Sequence, residues 1–90
     1  MKYLVWLKIN PTNTREALRT LGKLPQRPWK GIQMYYTMNT FGDWDCGIWF
    51  DAKSHEYAID FVHNKICPIS GIVQTYVMPT SPIKDYVNWK

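Results

Sequence analysis

Four stretches of this sequence alternate with a period of two and two others repeat with a helical period, and their order leaves few architectures open. Tyr3, Val5, Leu7 and Ile9 alternate with Lys2, Leu4, Trp6 and Lys8, which is a strand pattern with one wholly apolar face and a second face that is half apolar. Asn10-Pro11 ends it. Pro11 suits the first turn of a helix, and Asn13 followed by Glu16 resembles a capping box. Ala17, Leu18, Leu21 and Leu24 then recur at helical spacing with Arg15, Arg19 and Lys23 outside, until Pro25 ends the helix. Ile32, Met34, Tyr36 and Met38 alternate with Gln33, Tyr35, Thr37 and Asn39. After a Gly42-Asp43 turn, Trp44, Cys46, Ile48 and Phe50 alternate with Asp45, Gly47, Trp49 and Asp51. Two strands joined by so short a connection form a hairpin. Ser54 is placed to cap a second helix whose stripe is Ala58, Phe61, Val62 and Ile66, ending near Cys67-Pro68. Gly71 opens a last strand of Ile72, Gln74, Tyr76 and Met78 against Val73, Thr75 and Val77, which Pro79 and Pro82 are expected to stop.

The order βαββαβ with right-handed crossovers predicts an α+β, ferredoxin-like fold: a four-stranded antiparallel sheet with two helices on one face. Ninety residues make one domain, 1–90, with a C-terminal tail at 80–90 whose Ile83, Tyr86, Val87 and Trp89 suggest docking. Nothing in the pattern covers the other sheet face, on which Trp6, Tyr35, Trp49 and Thr75 are expected. A chain this short buries a modest share of its surface alone, yet 46% of its residues are hydrophobic and five are tryptophans. Large uncovered apolar patches mark interfaces, so the sheet is expected to dimerise through this face.

Other uses of such a sheet are less well supported by the residues. The net charge of +4 comes from eleven basic and seven acidic residues, and the lysines are spread from Lys2 to Lys90 without forming a stripe. An RNA platform would stack bases on the third strand, where Asp45 and Asp51 would repel phosphate. No direct nucleic-acid contact is therefore expected. Cys46 and Cys67 form no CxxC pair, and the first loop, Asn10-Pro11-Thr12-Asn13, holds neither the cysteines of a metal carrier nor the arginine of an acylphosphatase. His55 and His63 are eight apart, too far for a helical metal pair, and no G-x-S-x-G is present, so neither a catalytic residue nor a metal or cofactor is assigned. No signal peptide and no membrane span are visible. A cytoplasmic protein with reduced thiols is the simplest expectation.

Two short motifs carry a resemblance. Gly42-Asp43-Trp44-Asp45 looks like the Gly-x-aromatic-Asp turn between the second and third strands of the Lrp/AsnC effector-binding domain, the RAM domain. Gly71-Ile72-Val73-Gln74-Thr75 looks like that domain's Gly-Val-x-x-Thr opening of the fourth strand. As element order the resemblance runs over about residues 3 to 79. It implies a homodimer that assembles into a larger homo-oligomer and a small effector, typically an amino acid, bound in clefts between dimers. The ligand-binding residues it implies are Gly42, Asp43, Trp44, Asp45, Thr75 and Val77. A glycine turn exposes N–H groups that can hold a carboxylate, an aspartate can accept from an ammonium, and a threonine hydroxyl can donate or accept. Val77 stands where the family often has a second threonine, and Trp44 where a smaller aromatic is common, which points to a more apolar ligand or a narrower cleft. No helix-turn-helix precedes the first strand in this sequence. Direct DNA regulation is not expected from this chain alone, and a DNA-binding relative of the Lrp/AsnC type is left open as a partner.

Two other readings stay open on the residues. One is a small enzyme of the dimeric α/β-barrel kind, such as a cofactor-free oxygenase or a lyase, with a polar cavity inside each protomer reached by His55 or His63. The other is a purely structural module that forms mixed oligomers with larger relatives.

Overall fold

The computed structural model describes residues 1–84 and Tyr86; of the expected docking residues, Val87 and Trp89 lie outside this set. Four strands and two helices follow in the expected order: β1 (Lys2–Ile9), α1 (Thr14–Gly22), β2 (Ile32–Asn39), β3 (Cys46–Ala52), α2 (His55–Phe61) and β4 (Ile72–Thr80). The strands form one antiparallel sheet in the order β2-β3-β1-β4. This is the α+β, ferredoxin-like architecture that the alternation implies. No helix among the described residues is long and apolar enough to cross a membrane.

The apolar face of β1 makes the core. Tyr3, Val5 and Leu7 are fully buried, and Ile9 nearly so. From β3, Ile48 and Phe50 join them, and the helices contribute Ala17, Leu21, Ala58 and Phe61, with Val62 and Ile66 following α2. Phe50 organises this layer: its ring stacks on Tyr3 at 5.6 Å and meets Phe61 edge-on at 5.1 Å. Such pairs add about 0.5–1.5 kcal/mol to the area they bury. The hydroxyl of Tyr3 sits 3.1 Å from Nδ1 of His55, so this polar atom of the core has a partner.

The local rules hold in places and yield in others. Ser54 caps α2 as expected, its Oγ accepting from the N–H of Tyr57. α2 closes through a π turn at Val62–Ile66, where the N–H of Cys67 donates to the carbonyl of Val62. Asn13 does not cap α1 with its side chain. Instead Asn10 accepts from the N–H of Thr12 and caps a 3-10 turn, Pro11–Asn13, that runs into the helix. β4 continues through Pro79 to Thr80 and does not stop at the proline, because β4 is an edge strand and a missing N–H is tolerated there. Ile83 and Tyr86, expected to dock, are exposed.

The largest departure is a bulge in β2. Met34 pairs with Phe50 and Tyr36 with Trp49, so Tyr35 is the extra residue. The single alternation read over Ile32–Asn39 is therefore two segments in opposite phase. Tyr36 and Met38 fall on the uncovered face with Trp49 and Gly47, and Tyr35 turns toward the same side, 5.7 Å from Trp49. Thr75, expected on that face, pairs with the core residue Leu7 and points to the helix side; its neighbour Tyr76, opposite Trp6, takes the uncovered position.

Gly71 links the two halves of the frame. Its carbonyl accepts from the N–H of Asn10 at 2.7 Å, and its φ is +97°. A Cβ there would lie 2.6 Å from that of Asn13. Gly71→Ala should lower stability by more than about 1 kcal/mol, read as a reduced midpoint in urea denaturation with an unchanged slope.

Candidate functional site

The face of the sheet away from the helices carries six aromatic rings. Trp6 from β1 and Trp49 from β3 are half-buried, while Tyr35 and Tyr36 of β2 and Tyr76 of β4 are exposed. Trp44, just before β3, stacks on Tyr76 at 6.2 Å. Leu4, Met38 and Met78 fill positions between them by the strand register. Tyr36 stacks on Trp49 at 5.6 Å. Two cations sit on these rings: Lys2 Nζ is 5.0 Å from the centre of Tyr35, and Lys8 Nζ is 5.3 Å from that of Trp44. The result is an apolar surface with lysine ammoniums toward its ends.

At the end of β1 this face meets the Gly42–Asp45 turn. Gly42 and Asp43 are exposed in the turn. Thr40 closes it, donating through Oγ1 to the Trp44 carbonyl at 2.7 Å and through N–H to that of Asp45. Asp45 is fixed to β1 at two points. Its N–H donates to the Leu7 carbonyl at 2.9 Å, and its Oδ2 accepts from the N–H of Ile9 at 2.7 Å. β3 proper begins at Cys46, so the carboxylate accepts where a ladder carbonyl would otherwise stand.

Thr75 and Val77 flank the same end of β1 from β4, opposite Leu7 and Val5. Both point to the helix side. Val77 packs on the core, and Thr75 Oγ1 lies 3.9 Å from the sulfur of Cys67. The sheet thus stands between them and the Trp44 ring. Within one protomer the six residues border β1 on both sides and do not line a common hollow. That Tyr76 is the second half of the Trp44–Tyr76 pair follows from the pairing of Leu7 with Thr75, which the alternation within β4 does not contain. The partner of Asp45 is a main-chain group and leaves no sequence signal either.

Of the two thiols, Cys67 is exposed and Cys46 is buried. Burial, with the Asp45 carboxylate beside it as a smaller cause, holds the Cys46 thiol above its usual range. The space between sheet and helices is filled by Tyr3, Leu7, Ile48, Phe50, Phe61 and Ile66, and no polar or charged residue among the described ones is buried there.

The fold recurs in solved structures. FFRP-DM1 superposes with a TM-score of 0.68 at 16% identity over 86% of this chain and 93% of that one. E. coli AsnC gives 0.72 at 18% identity, covering 93% of this chain, and MtbAldR gives 0.74 at 11%, covering 99%. The chain has the fold of the Lrp/AsnC effector-binding domain. It spans 54% of the AsnC chain and 57% of the AldR chain, but nearly the whole of FFRP-DM1 and 98% of hypothetical protein PHS023 from Pyrococcus horikoshii. No protein-family model and no curated protein matches the sequence.

Within this RAM fold Asp45 has a measurable structural role. Asp45→Ala leaves the Ile9 N–H without its acceptor and should cost about 1.5–3 kcal/mol, read by urea denaturation. In the native protein a thiol reagent should modify Cys67 quickly and Cys46 only after unfolding. Because burial keeps the Cys46 thiol protonated in the fold, its full contribution to stability is present below the ordinary value of 9.0 and falls as pH rises from there through the higher folded value. Cys46→Ser should therefore flatten the decline of stability above that pH.

Proposed function

We propose that this chain is an effector-binding module of the RAM type, not an enzyme, which pairs face to face through its sheet and assembles further into a ring of dimers. One observation carries the reading: the uncovered face holds Trp6, Tyr35, Tyr36, Trp44, Trp49 and Tyr76 in a chain whose fold matches the Lrp/AsnC domain. Tyr36 and Tyr76 are more than half exposed, at 59% and 52%, and leaving such rings in water forgoes a large apolar contribution. A second copy presents the same apolar surface, and a two-fold axis sets the patch against its own copy, so that each ring-to-ring contact across the seam is made twice.

In this reading the small ligand lies between dimers, against the Gly42–Asp45 turn of one edge and Thr75 and Val77 of the other. An amino acid fits the polar groups there. Asp45 already accepts from Ile9 through Oδ2, which leaves its other oxygen for an ammonium. Val77, where the resemblance has a second threonine, favours a more apolar ligand over a polar one. The α/β-barrel enzyme needs a polar chamber between sheet and helices, and that space is packed with side chains. As the resemblance implies, a longer relative of the Lrp/AsnC type with a DNA-binding domain is one partner class that suits such a module.

Light scattering should give a mass of at least a dimer, and Trp49→Glu should shift it toward the monomer while the circular dichroism of the fold persists. A wild-type monomer would overturn the pairing. In a thermal-shift panel at millimolar concentration an apolar or aromatic amino acid should raise Tm, and Thr75→Val should reduce that shift. No shift with any amino acid, in a protein that is oligomeric, would overturn the ligand class and leave the pairing standing.

A further inference from the structure

The other end of the sheet, where β1 starts and β3 ends, holds a cleft of about 600 Å³ that the proposed ligand cleft does not use. Its walls come from the loop before β2 and the loop after β3. Three cationic residues line it, Arg27, Lys30 and Lys53, with Gln33 and Trp29 beside them; the Lys30 ammonium stands 6.0 Å from the centre of the Tyr57 ring. The three are far apart in sequence, and main-chain bonds bring them together. The N–H of Lys53 donates to the Gly31 carbonyl at 2.9 Å, tying the two loops to each other. The N–H of Met34 donates to the carbonyl of Gln26 at 2.7 Å, which holds the Arg27 segment along β2. Gly31 has a φ of +76° and lies so close to the Tyr57 ring that a Cβ would meet it at 2.8 Å, so this turn is seated on α2.

The charge balance of the cleft is one-sided. Among the described residues the only carboxylate on its wall is Asp51. That group is already engaged by the Met1 ammonium at 2.8 Å and by the Tyr35 hydroxyl at 3.4 Å, and the ammonium beside it holds its carboxyl below the usual range. No carboxylate among the described residues forms an ion pair with Arg27, Lys30 or Lys53. Three cationic residues around one concavity, with its one lining carboxylate already engaged, give it a positive potential, which attracts an anion of more than one charge. The guanidinium of Arg27 can take two oxygens in parallel, and the lysines act as point charges on others. A single carboxylate would neutralise one of the three; adjacent phosphate groups match them better.

We propose that this cleft is a binding site for a small phosphorylated anion, with Arg27, Lys30 and Lys53 holding neighbouring phosphate groups. The assignment is independent of the amino-acid cleft, which lies at the opposite end of β1. Pyrophosphate is the probe, titrated into the protein in its native oligomer by calorimetry and followed by amide NMR shifts. Saturable binding is expected, weakening as salt rises, with the largest shifts at Gly31 and Lys53. Arg27→Gln, Lys30→Gln and Lys53→Gln combined should weaken it by about tenfold or more. Arg15→Gln, which removes one exposed charge from α1, should leave it unchanged. These three side chains are exposed, and circular dichroism verifies that the variant is folded. Non-saturable binding, equal loss with Arg15→Gln, or shifts centred on Lys8 and Trp44 would each overturn the proposal.

Discussion

The structure depends on β1 having hydrogen-bonded neighbours on both edges and apolar side chains on both faces. A central strand of this kind cannot be left half covered at low cost. Toward the helices the cover is supplied by the chain itself, through Phe50, Phe61 and the residues that follow α2. On the other side Leu4 and Trp6 are flanked by Trp49 and Tyr76, and two helices are too few to reach them. The fold therefore divides the apolar residues into a set that closes the core and a set that the described chain leaves uncovered. The lysines on the second set do not weaken this division, since Lys2 and Lys8 lie on aromatic rings and keep their ammonium groups at the ends of the surface.

How much of this was legible in the sequence follows from what each signal encodes. Period-two alternation fixes the face of every residue in β1, because Tyr3, Val5, Leu7 and Ile9 are apolar without exception and no residue is added or lost against β3. In β2 the same reading fails halfway. Met34-Tyr35-Tyr36 contains no glycine or proline to mark a bulge, and two adjacent tyrosines suit either face. Only the pairing with β3 reveals that Tyr35 is the extra residue. The Asn13 and Glu16 spacing suggested a cap that the backbone does not use, since Pro11 supports a tighter turn one step earlier and Asn10 satisfies it. Pro79 signals a stop because a proline gives no ladder donor; whether that matters depends on strand order, which local pattern does not contain.

The residues of the proposed ligand cleft were legible as motifs but not as a geometry. The Gly42–Asp45 turn and the Gly71–Thr75 opening both adjoin the end of β1, as the element order requires. What pattern cannot give is which side of the sheet each side chain takes, and there Thr75 and Tyr76 exchange places. The cationic cleft at the other end was invisible for a different reason. Arg27, Lys30 and Lys53 belong to two loops that meet through main-chain bonds, and a search for runs of basic residues passes over them.

The position of Asp45 bears on how selectivity would work in the proposed cleft. A carboxylate already accepting from the Ile9 N–H at 2.7 Å is held in orientation and partly spent as an acceptor. It can mark the place of an ammonium, a group common to all amino acids, but it cannot rank them. In the proposed cleft, ranking would come from the apolar residues around the ligand's side chain, Val77 among them. Apolar walls distinguish ligands by size and by area removed from water, roughly 0.8 kcal/mol for each buried methylene, and they penalise a polar side chain that finds no partner. A threonine at position 77 would relieve that penalty by offering a hydroxyl. In the proposed cleft the valine would therefore move selection from reading hydrogen bonds toward reading shape, with the oriented Asp45 carboxylate as its fixed point.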